Sequence, residues 1–170
     1  DDISKRLFRL DPGKNRITWW PIPNASAPGD GGIVCAFGGF LWIGDRSQKA
    51  VHRFDANRGR FSAFALPFAN GPEGLAIDAQ GKLWITVSRV NPGSGIAQPA
   101  LAVLSDNLAY YELPRSFEAP QQVLGDSLGR IWCISYTSHQ IGTFDPWNRY
   151  FYWHVLPFFP SGTTEGLAID

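Results

Sequence analysis

Two glutamates and a glutamine occupy the same place in a pattern that recurs along this chain, and their side chains could bind a ligand. Glu73, Gln121 and Glu165 each precede a short apolar run. Carboxylate and amide oxygens are preferred ligands of Ca²⁺ and Mg²⁺, and a carboxylate can also act as a general base. If the runs lie side by side, these side chains meet at one end and could hold a cation or an amine ligand. They could equally be solvated rim residues that accept backbone hydrogen bonds, and the sequence leaves both interpretations open.

Two further residues are candidates for a ligand-binding face. Asp45 follows the apolar run that contains Trp42, and His139 lies in a predicted loop between two runs. The other histidines, His52 and His154, share no metal-ligand spacing with His139. The sequence therefore predicts no metal site built on histidine, and it leaves His139 as a candidate for contact with a ligand.

The composition excludes several classes of protein. Lys plus Arg and Asp plus Glu both total 15 in 170 residues, and this balance argues against a nucleic-acid binder or a polybasic membrane-surface protein. No apolar run approaches the roughly 20 residues that span a bilayer. Cys35 and Cys133 lie in separate apolar runs without a C-x-x-C pair, so we predict buried, inert thiols rather than a zinc site.

A repeat predicts the elements that must position these side chains. An apolar residue followed by Trp, an apolar residue followed by Asp, and an apolar residue followed by Pro recur in that order. The Trp residues are 42 and then 48 residues apart, a period typical of four-stranded propeller blades. We expect the three Trp side chains to be equivalent and largely buried between blades. The anchors are Trp42, Trp84 and Trp132; Asp11, Asp55 and Asp145; and Pro23, Pro67, Pro114 and Pro157.

We therefore predict an all-β fold, a β-propeller of four-stranded antiparallel blades with about 3.75 blades visible. The predicted units are a half blade at 1–23, blades at 32–67, 74–114 and 122–157, and the first strand of a next blade at 165–170. The terminal units lack the strand that carries the Trp. A ring closed through them would leave ladder groups unpaired, so we expect an arc of a larger propeller.

The repeat resembles that of the virginiamycin B lyase, or streptogramin lyase, family. The matching stretches are GPEGLAI at 71–77, GKLWIT at 81–86 and IGTFDP at 141–146. The resemblance implies a seven-bladed propeller and a Mg²⁺-dependent C–O lyase that opens cyclic depsipeptides by elimination. The resemblance also implies that a catalytic His precedes the Gly of the first strand in that family. A metal-binding Glu then follows fourteen residues after that His.

This chain departs from that pattern, because no unit carries the His or both halves of the pair. We therefore predict a non-catalytic binding or scaffold propeller. The alternatives are part of a Mg²⁺-dependent C–O lyase or, from a short Glu-Gly match that resembles gluconolactonase-type propellers, a Ca²⁺-dependent lactonase. In the successive units of this chain, the residues at the position of the His are Gly31, Glu73, Gln121 and Glu165. The residues fourteen positions later are Asp45, Val87 and Ser135.

The same features give expectations about partners, cofactors and compartment. We expect no cofactor beyond Mg²⁺ if the protein is a lyase, and no nucleic acid or transmembrane segment. A protein partner or remaining blades should cover the ends of the arc. The aromatic strand at 150–156 and the pair Trp19-Trp20 either fill gaps between blades or face a partner. The chain contains no methionine, so we expect a processed chain or a segment of a longer protein, exported to the periplasm or the extracellular space.

Overall fold

The computed structural model of the chain describes residues 5–24, 28–35, 38–68, 70–90, 97–157 and 166–168. The described elements are β-strands in one two-stranded and three four-stranded sheets. The terminal hairpin consists of β1 (Arg6–Asp11) and β2 (Arg16–Pro21). The first blade consists of β3 (Pro28–Cys35), β4 (Phe40–Asp45), β5 (Ala50–Asp55) and β6 (Arg60–Ala65).

The second blade consists of β7 (Gly74–Ile77), β8 (Leu83–Val90), β9 (Ala97–Leu104) and β10 (Leu108–Glu112). The third blade consists of β11 (Pro120–Gly125), β12 (Ile131–Ser135), β13 (Gln140–Asp145) and β14 (Tyr150–Val155). The predicted first strand of a further blade lies mostly outside the described residues, and 166–168 are not assigned to a strand.

Each blade pairs its strands antiparallel and in chain order. The first strands of the blades lie together, because β7 contacts both β3 and β11. The first strand of each blade is therefore innermost and the fourth is outermost. This arrangement confirms the predicted all-β, propeller-like arc of four-stranded antiparallel blades.

Aspartates close the outer turns, as their types and positions predict. Asp55 ends β5, and its Oδ1 accepts the backbone N–H groups of Asn57 at 2.9 Å and Arg58 at 3.0 Å. Asp145 ends β13 and accepts the N–H of Trp147 at 2.9 Å in the same way. A side chain that satisfies two turn donors fixes the reversal of the chain, so β6 and β14 return along their neighbours.

Each blade has two different faces. We call the face that packs on the next blade in chain order the front face, and the face that packs on the preceding sheet the back face. Three apolar clusters fill three such interfaces. Leu7, Trp20 and Ile22 of the hairpin pack on Ile43, Phe54 and Phe61; Trp42, Val51 and Phe64 of the first blade pack on Leu83, Ile85 and Leu104; Trp84, Leu101 and Tyr111 of the second blade pack on Ile131, Cys133 and Phe144.

The repeated Trp residues occupy equivalent front-face positions. Trp84 is 2% exposed and donates its indole N–H to Asp78 at 2.8 Å. Trp132 donates to Asp126 at 2.9 Å in the same geometry, and Trp42 is also buried. The expected burial is complete for Trp42 and Trp84, whereas Trp132 is only partly buried. Its blade has no following sheet among the described residues.

Candidate functional site

Asp45 and Glu73 lie on either side of one turn, at the junction of the first and second blades. Asp45 is fully buried at the end of β4, and its Oδ1 accepts the backbone N–H of Gln48 at 2.9 Å. The next residue, Arg46, forms an ion pair with Glu73, which enters β7. Both carboxylates therefore have structural partners, one within the turn and one between blades.

The backbone at Gly71 passes close to the backbone of Arg46. A Cβ at Gly71 would lie 2.3 Å from the Cα of Arg46, so only glycine lets this segment pass the turn. Desolvation raises the pKa of Glu73, and the neighbouring Arg46 guanidinium opposes that shift. The guanidinium compensates for taking the carboxylate out of water, as buried charges require.

Gln121 joins the second blade to the third through its main chain. Its carbonyl oxygen accepts the hydroxyl of Thr86 at 2.8 Å. A Cβ at Gly74 would lie 2.0 Å from the same oxygen, so the two innermost strands are in direct contact. Gln121 itself is half-buried. The third predicted member of this group, Glu165, lies outside the described residues.

His139 occupies a backbone position that the repeat defines. Its φ is 49°, and the equivalent Lys49 in the first blade has a φ of 51°. The carbonyl of His139 accepts the N–H of Leu156 at 2.8 Å, and that of Lys49 accepts the N–H of Leu66 at 2.7 Å. His139 is thus the left-handed residue that opens the third strand of its blade, a conformation in which His is enriched.

The equivalent turn of the third blade shows the structural role of Asp45. Ser135 of the third blade holds the equivalent position, and its hydroxyl accepts the N–H of Ser138 at 3.0 Å, as Asp45 accepts that of Gln48. Ser135 is fully buried. A carboxylate and a hydroxyl therefore perform the same capping of this turn.

The structure brings three of the predicted residues into one region at the junctions of the innermost strands, because Arg46, next to Asp45, pairs with Glu73, and Gly74, next to Glu73, lies against the carbonyl of Gln121. Asp45 and Glu73 flank Arg46, Gln121 lies at the next blade junction, and His139 lies in a turn of the third blade. Within 5–24, 28–35, 38–68, 70–90, 97–157 and 166–168, no group of three or more His, Cys, Asp or Glu side chains could hold a metal ion. No helix in that part of the chain is long and apolar enough to cross a membrane.

Cys133 behaves as the sequence predicts. It is a buried thiol on the back face of the third blade, and burial raises its pKa well above the ordinary value. A thiol that stays protonated is a poor nucleophile, so Cys133 acts as an apolar core residue.

A buried histidine is a feature that the sequence reasoning missed. His52 is 2% exposed on the back face of the first blade, and neither ring nitrogen has a hydrogen-bond partner. Its Nε2 lies 3.8 Å from the Oδ2 of Asp45. Burial lowers the pKa of His52, and Asp45 opposes that shift. The ring is therefore buried neutral, and spacing alone gave no signal of this because Asp45 and His52 meet only through strand pairing.

This burial predicts a loss of stability in mild acid. In the unfolded chain His52 binds a proton near its ordinary pKa of about 6.5, whereas the folded state resists protonation. The free energy of unfolding should fall as the pH drops from about 7 to 5, because the unfolded state then binds more protons. Urea unfolding across this range should show a smaller fall for His52→Leu than for the wild type. Equal slopes in the two proteins would contradict the buried, neutral state of His52.

An aromatic residue recurs at one position of the outermost strands. The sequence analysis identified it in the first and last of these strands and missed it at Tyr110. Trp19, Tyr110 and Trp153 each lie four residues before the Pro that ends the repeat. They are 49%, 46% and 41% exposed. Counting back from Pro23, Pro114 and Pro157 would have revealed the position of Tyr110, which lies in a less aromatic strand.

Together, the sheets and their order define this chain as a β-propeller arc. Comparison with solved structures agrees: the fold resembles virginiamycin B lyase from Staphylococcus aureus with quinupristin, at 14% identity and a TM-score of 0.53, over 95% of this chain and 66% of that one. A chain of the nidogen–laminin complex matches at 13% identity and a TM-score of 0.66, over 89% and 55%. A luciferin-regenerating enzyme matches at 12% identity and a TM-score of 0.59, over 89% and 52%.

These similarities establish the fold alone, since identities are low and one propeller fold serves many functions. The chain spans between about half and two thirds of the length of these structures. No protein-family model and no curated protein matches the chain.

Proposed function

We propose that this chain is a non-catalytic binding propeller that recognises a protein partner through an aromatic rim on its outer strands. We define the aromatic rim as Trp19, Tyr110 and Trp153 together with Trp147, Tyr150 and Tyr152 of the third blade. The observation that carries the proposal is the recurrence of exposed aromatic side chains at one repeat position in three of the four sheets. Aromatic side chains supply much of the affinity of protein interfaces.

The rim is densest on the third blade. Trp147 is 93% exposed at the β13–β14 turn, and Tyr150 and Tyr152 are 55% and 57% exposed, with their rings 4.3 Å apart. The position of Tyr152 is exposed in the other two blades as well. The residues equivalent to Tyr152 are Ser62 and Ala109, which are exposed although their blades are covered.

A variant pair can test the rim. We expect Trp147→Ala/Tyr152→Ala to weaken binding of a captured partner at least about tenfold, since interface aromatics commonly contribute 2 kcal/mol or more. The matched control is Asn57→Ala/Ser62→Ala, which changes the equivalent turn and strand of the first blade. Partners would be captured from an extracellular fraction, in keeping with the expected export, then purified and titrated by calorimetry. Equal affinity of the rim variant and the wild type would contradict the proposal.

A lyase is the second candidate, on the strength of the resemblance, but the residues at the corresponding positions do not fit a Mg²⁺ site. Val87 is fully buried in the apolar core, Asp45 and Ser135 cap their turns, and Glu73 is paired with Arg46. A Mg²⁺ site requires several oxygen ligands that converge in octahedral geometry. These side chains point to structural roles instead.

We therefore expect no ring opening of quinupristin by this 170-residue chain in the presence of Mg²⁺. Chromatography with mass detection would follow the intact cyclic compound over time, and the Staphylococcus aureus lyase would serve as the positive control. Consumption that depends on Mg²⁺ and stops on addition of EDTA would favour the lyase and contradict the non-catalytic proposal.

A further inference from the structure

The outermost strand of the third blade has an open edge. Among the described strands, β14 pairs with β13 alone and ends its sheet. The strands β6 and β10 end their sheets in the same way, although a further blade packs on each of their blades. Blades stack through their faces, so the outer edge stays open however many blades the ring contains. The open edge of β14 is therefore a property of the propeller fold.

The register of β13 and β14 shows which backbone groups point outward. Leu156 donates its N–H to the carbonyl of His139 at 2.8 Å, so these opposed residues form a hydrogen-bonded pair. Hydrogen-bonded and non-hydrogen-bonded pairs alternate along an antiparallel ladder. The N–H and C=O groups of Phe151, Trp153 and Val155 therefore turn away from β13. Because the register of β14 runs without a bulge, these groups form a regular row along the edge.

The strand β14 lacks the features that usually keep an edge strand from pairing with another chain. Such strands commonly carry a charged residue, a Pro or a bulge. The other outermost strands each contain at least one of them: Arg16 and Pro21 in β2, Arg60 in β6, and Glu112 in β10. The sequence of β14 is YFYWHV, with neither Pro nor a Lys, Arg, Asp or Glu. Its edge is thus the least protected of the four.

The side chains of β14 hold the strand in place and flank its edge. Phe151 packs against the fully buried Phe117, with the ring centroids 5.1 Å apart. Tyr152 and Val155 lie on opposite faces of the sheet and are 57% and 68% exposed. A strand that is already ordered loses little conformational entropy when another strand adds to it. Aromatic residues also pair well with β-branched residues across strands, so the edge suits an uncharged strand rich in Val, Ile and Thr.

We propose that β14 binds an extended, uncharged segment of the protein partner, which adds to the third blade as a fifth strand. The inference rests on the proposed function and names how the partner is held beside the aromatic rim. A row of main-chain donors and acceptors is complementary to another extended polypeptide. A second folded copy suits the edge less well, because the six residues of β14 are far fewer than the roughly 20–30 residues that each side of a stable interface supplies.

Hydrogen exchange measured by nuclear magnetic resonance on the full chain tests this proposal, with a capped hexapeptide of alternating Thr and Val as the probe. In the free chain, the amides of Trp153 and Val155 should exchange at least about tenfold faster than those of Tyr152 and His154, which bond to β13. Saturating peptide should slow the exchange of Trp153 and Val155 at least about tenfold. Exchange of these two amides that the peptide leaves unchanged would overturn the proposal.

Substitutions at Val155 separate main-chain pairing from side-chain contact. Val155→Pro removes an outward N–H without touching the ladder to β13, so it should weaken peptide binding at least about tenfold. The matched control Val155→Ala keeps this N–H and should bind within about threefold of the wild type. Val155→Lys protects the edge with a charge and should also weaken binding, and circular dichroism establishes that each variant is folded. Equal affinity of Val155→Pro, Val155→Lys and Val155→Ala would contradict strand addition.

The same variants in the titration of the captured partner distinguish failure of this proposal from failure of the proposed function. Weaker binding of both Val155→Pro and Trp147→Ala/Tyr152→Ala would support both. Weaker binding of the rim variant alone would retain the rim and overturn strand addition, and weaker binding of Val155→Pro alone would retain strand addition and contradict the rim. A wild type that dimerises in light scattering, with Val155→Pro monomeric, would assign the edge to a second copy and overturn the proposal.

Discussion

Replacing Trp84 with alanine is expected to lower the free energy of unfolding by about 3–5 kcal/mol, the cost of truncating a large buried aromatic side chain. The indole is 2% exposed and lies between the second and third blades, 5.9 Å from the ring of Tyr111 and 5.8 Å from that of Phe144. Its loss also removes the hydrogen bond to Asp78, leaving a buried carboxylate with one donor fewer. Urea unfolding monitored by circular dichroism measures the change.

Trp147→Ala is the matched control for this substitution. It removes the same side chain from a site that is 93% exposed, so the free energy of unfolding should change by no more than about 0.5 kcal/mol. A similar loss for both substitutions would show that the Trp of the second strand is not buried between blades, and the repeat assignment would fail.

Gly74→Ala is expected to cost about 1–3 kcal/mol or more, because overpacking at a rigid contact forces backbone shifts. The added Cβ would lie 2.0 Å from the carbonyl oxygen of Gln121 and 3.0 Å from Oγ1 of Thr86. Main chain cannot yield as a flexible side chain can, so the innermost strands of the second and third blades must separate. The hydrogen bond from Thr86 to Gln121 should weaken with them.

Gly166→Ala provides the comparison, because Gly166 opens the second copy of the sequence GLAID, and a Cβ added there would meet no described atom within 4 Å. Its substitution should leave the free energy of unfolding nearly unchanged. If Gly74→Ala were equally harmless, the close approach of β7 to Gln121 would be contradicted.

The fold could be predicted from the sequence because its determinants are local and repeated. Asp55 and Asp145 accept hydrogen bonds from residues two and three positions later, so their role depends on nothing distant. The Trp and Pro anchors then fix the strand count. The half-buried state of Trp132 could not be predicted in this way, because burial depends on what packs against a face.

The candidate site shows the limit of reasoning from spacing. The position of Asp45, fourteen residues after Gly31, indicated a place where the resembling family binds a metal, but a short carboxylate can also cap its own turn. The ion pair of Arg46 and Glu73 links residues 27 positions apart, and the contact of His52 with Asp45 depends on the register of β4 and β5. No periodicity in the chain specifies these contacts in advance.

The propeller arc depends on one arrangement, in which the front face of each sheet packs on the back face of the next. A double-mutant cycle of Trp84→Ala and Phe144→Ala tests it most directly. The two rings meet across the interface of the second and third blades, so we expect a coupling energy of about 0.5–1.5 kcal/mol. The pair Trp84 and Phe54, which lie in different clusters, should be additive within about 0.5 kcal/mol. Additivity of Trp84 and Phe144 would contradict the packing of the second blade on the third.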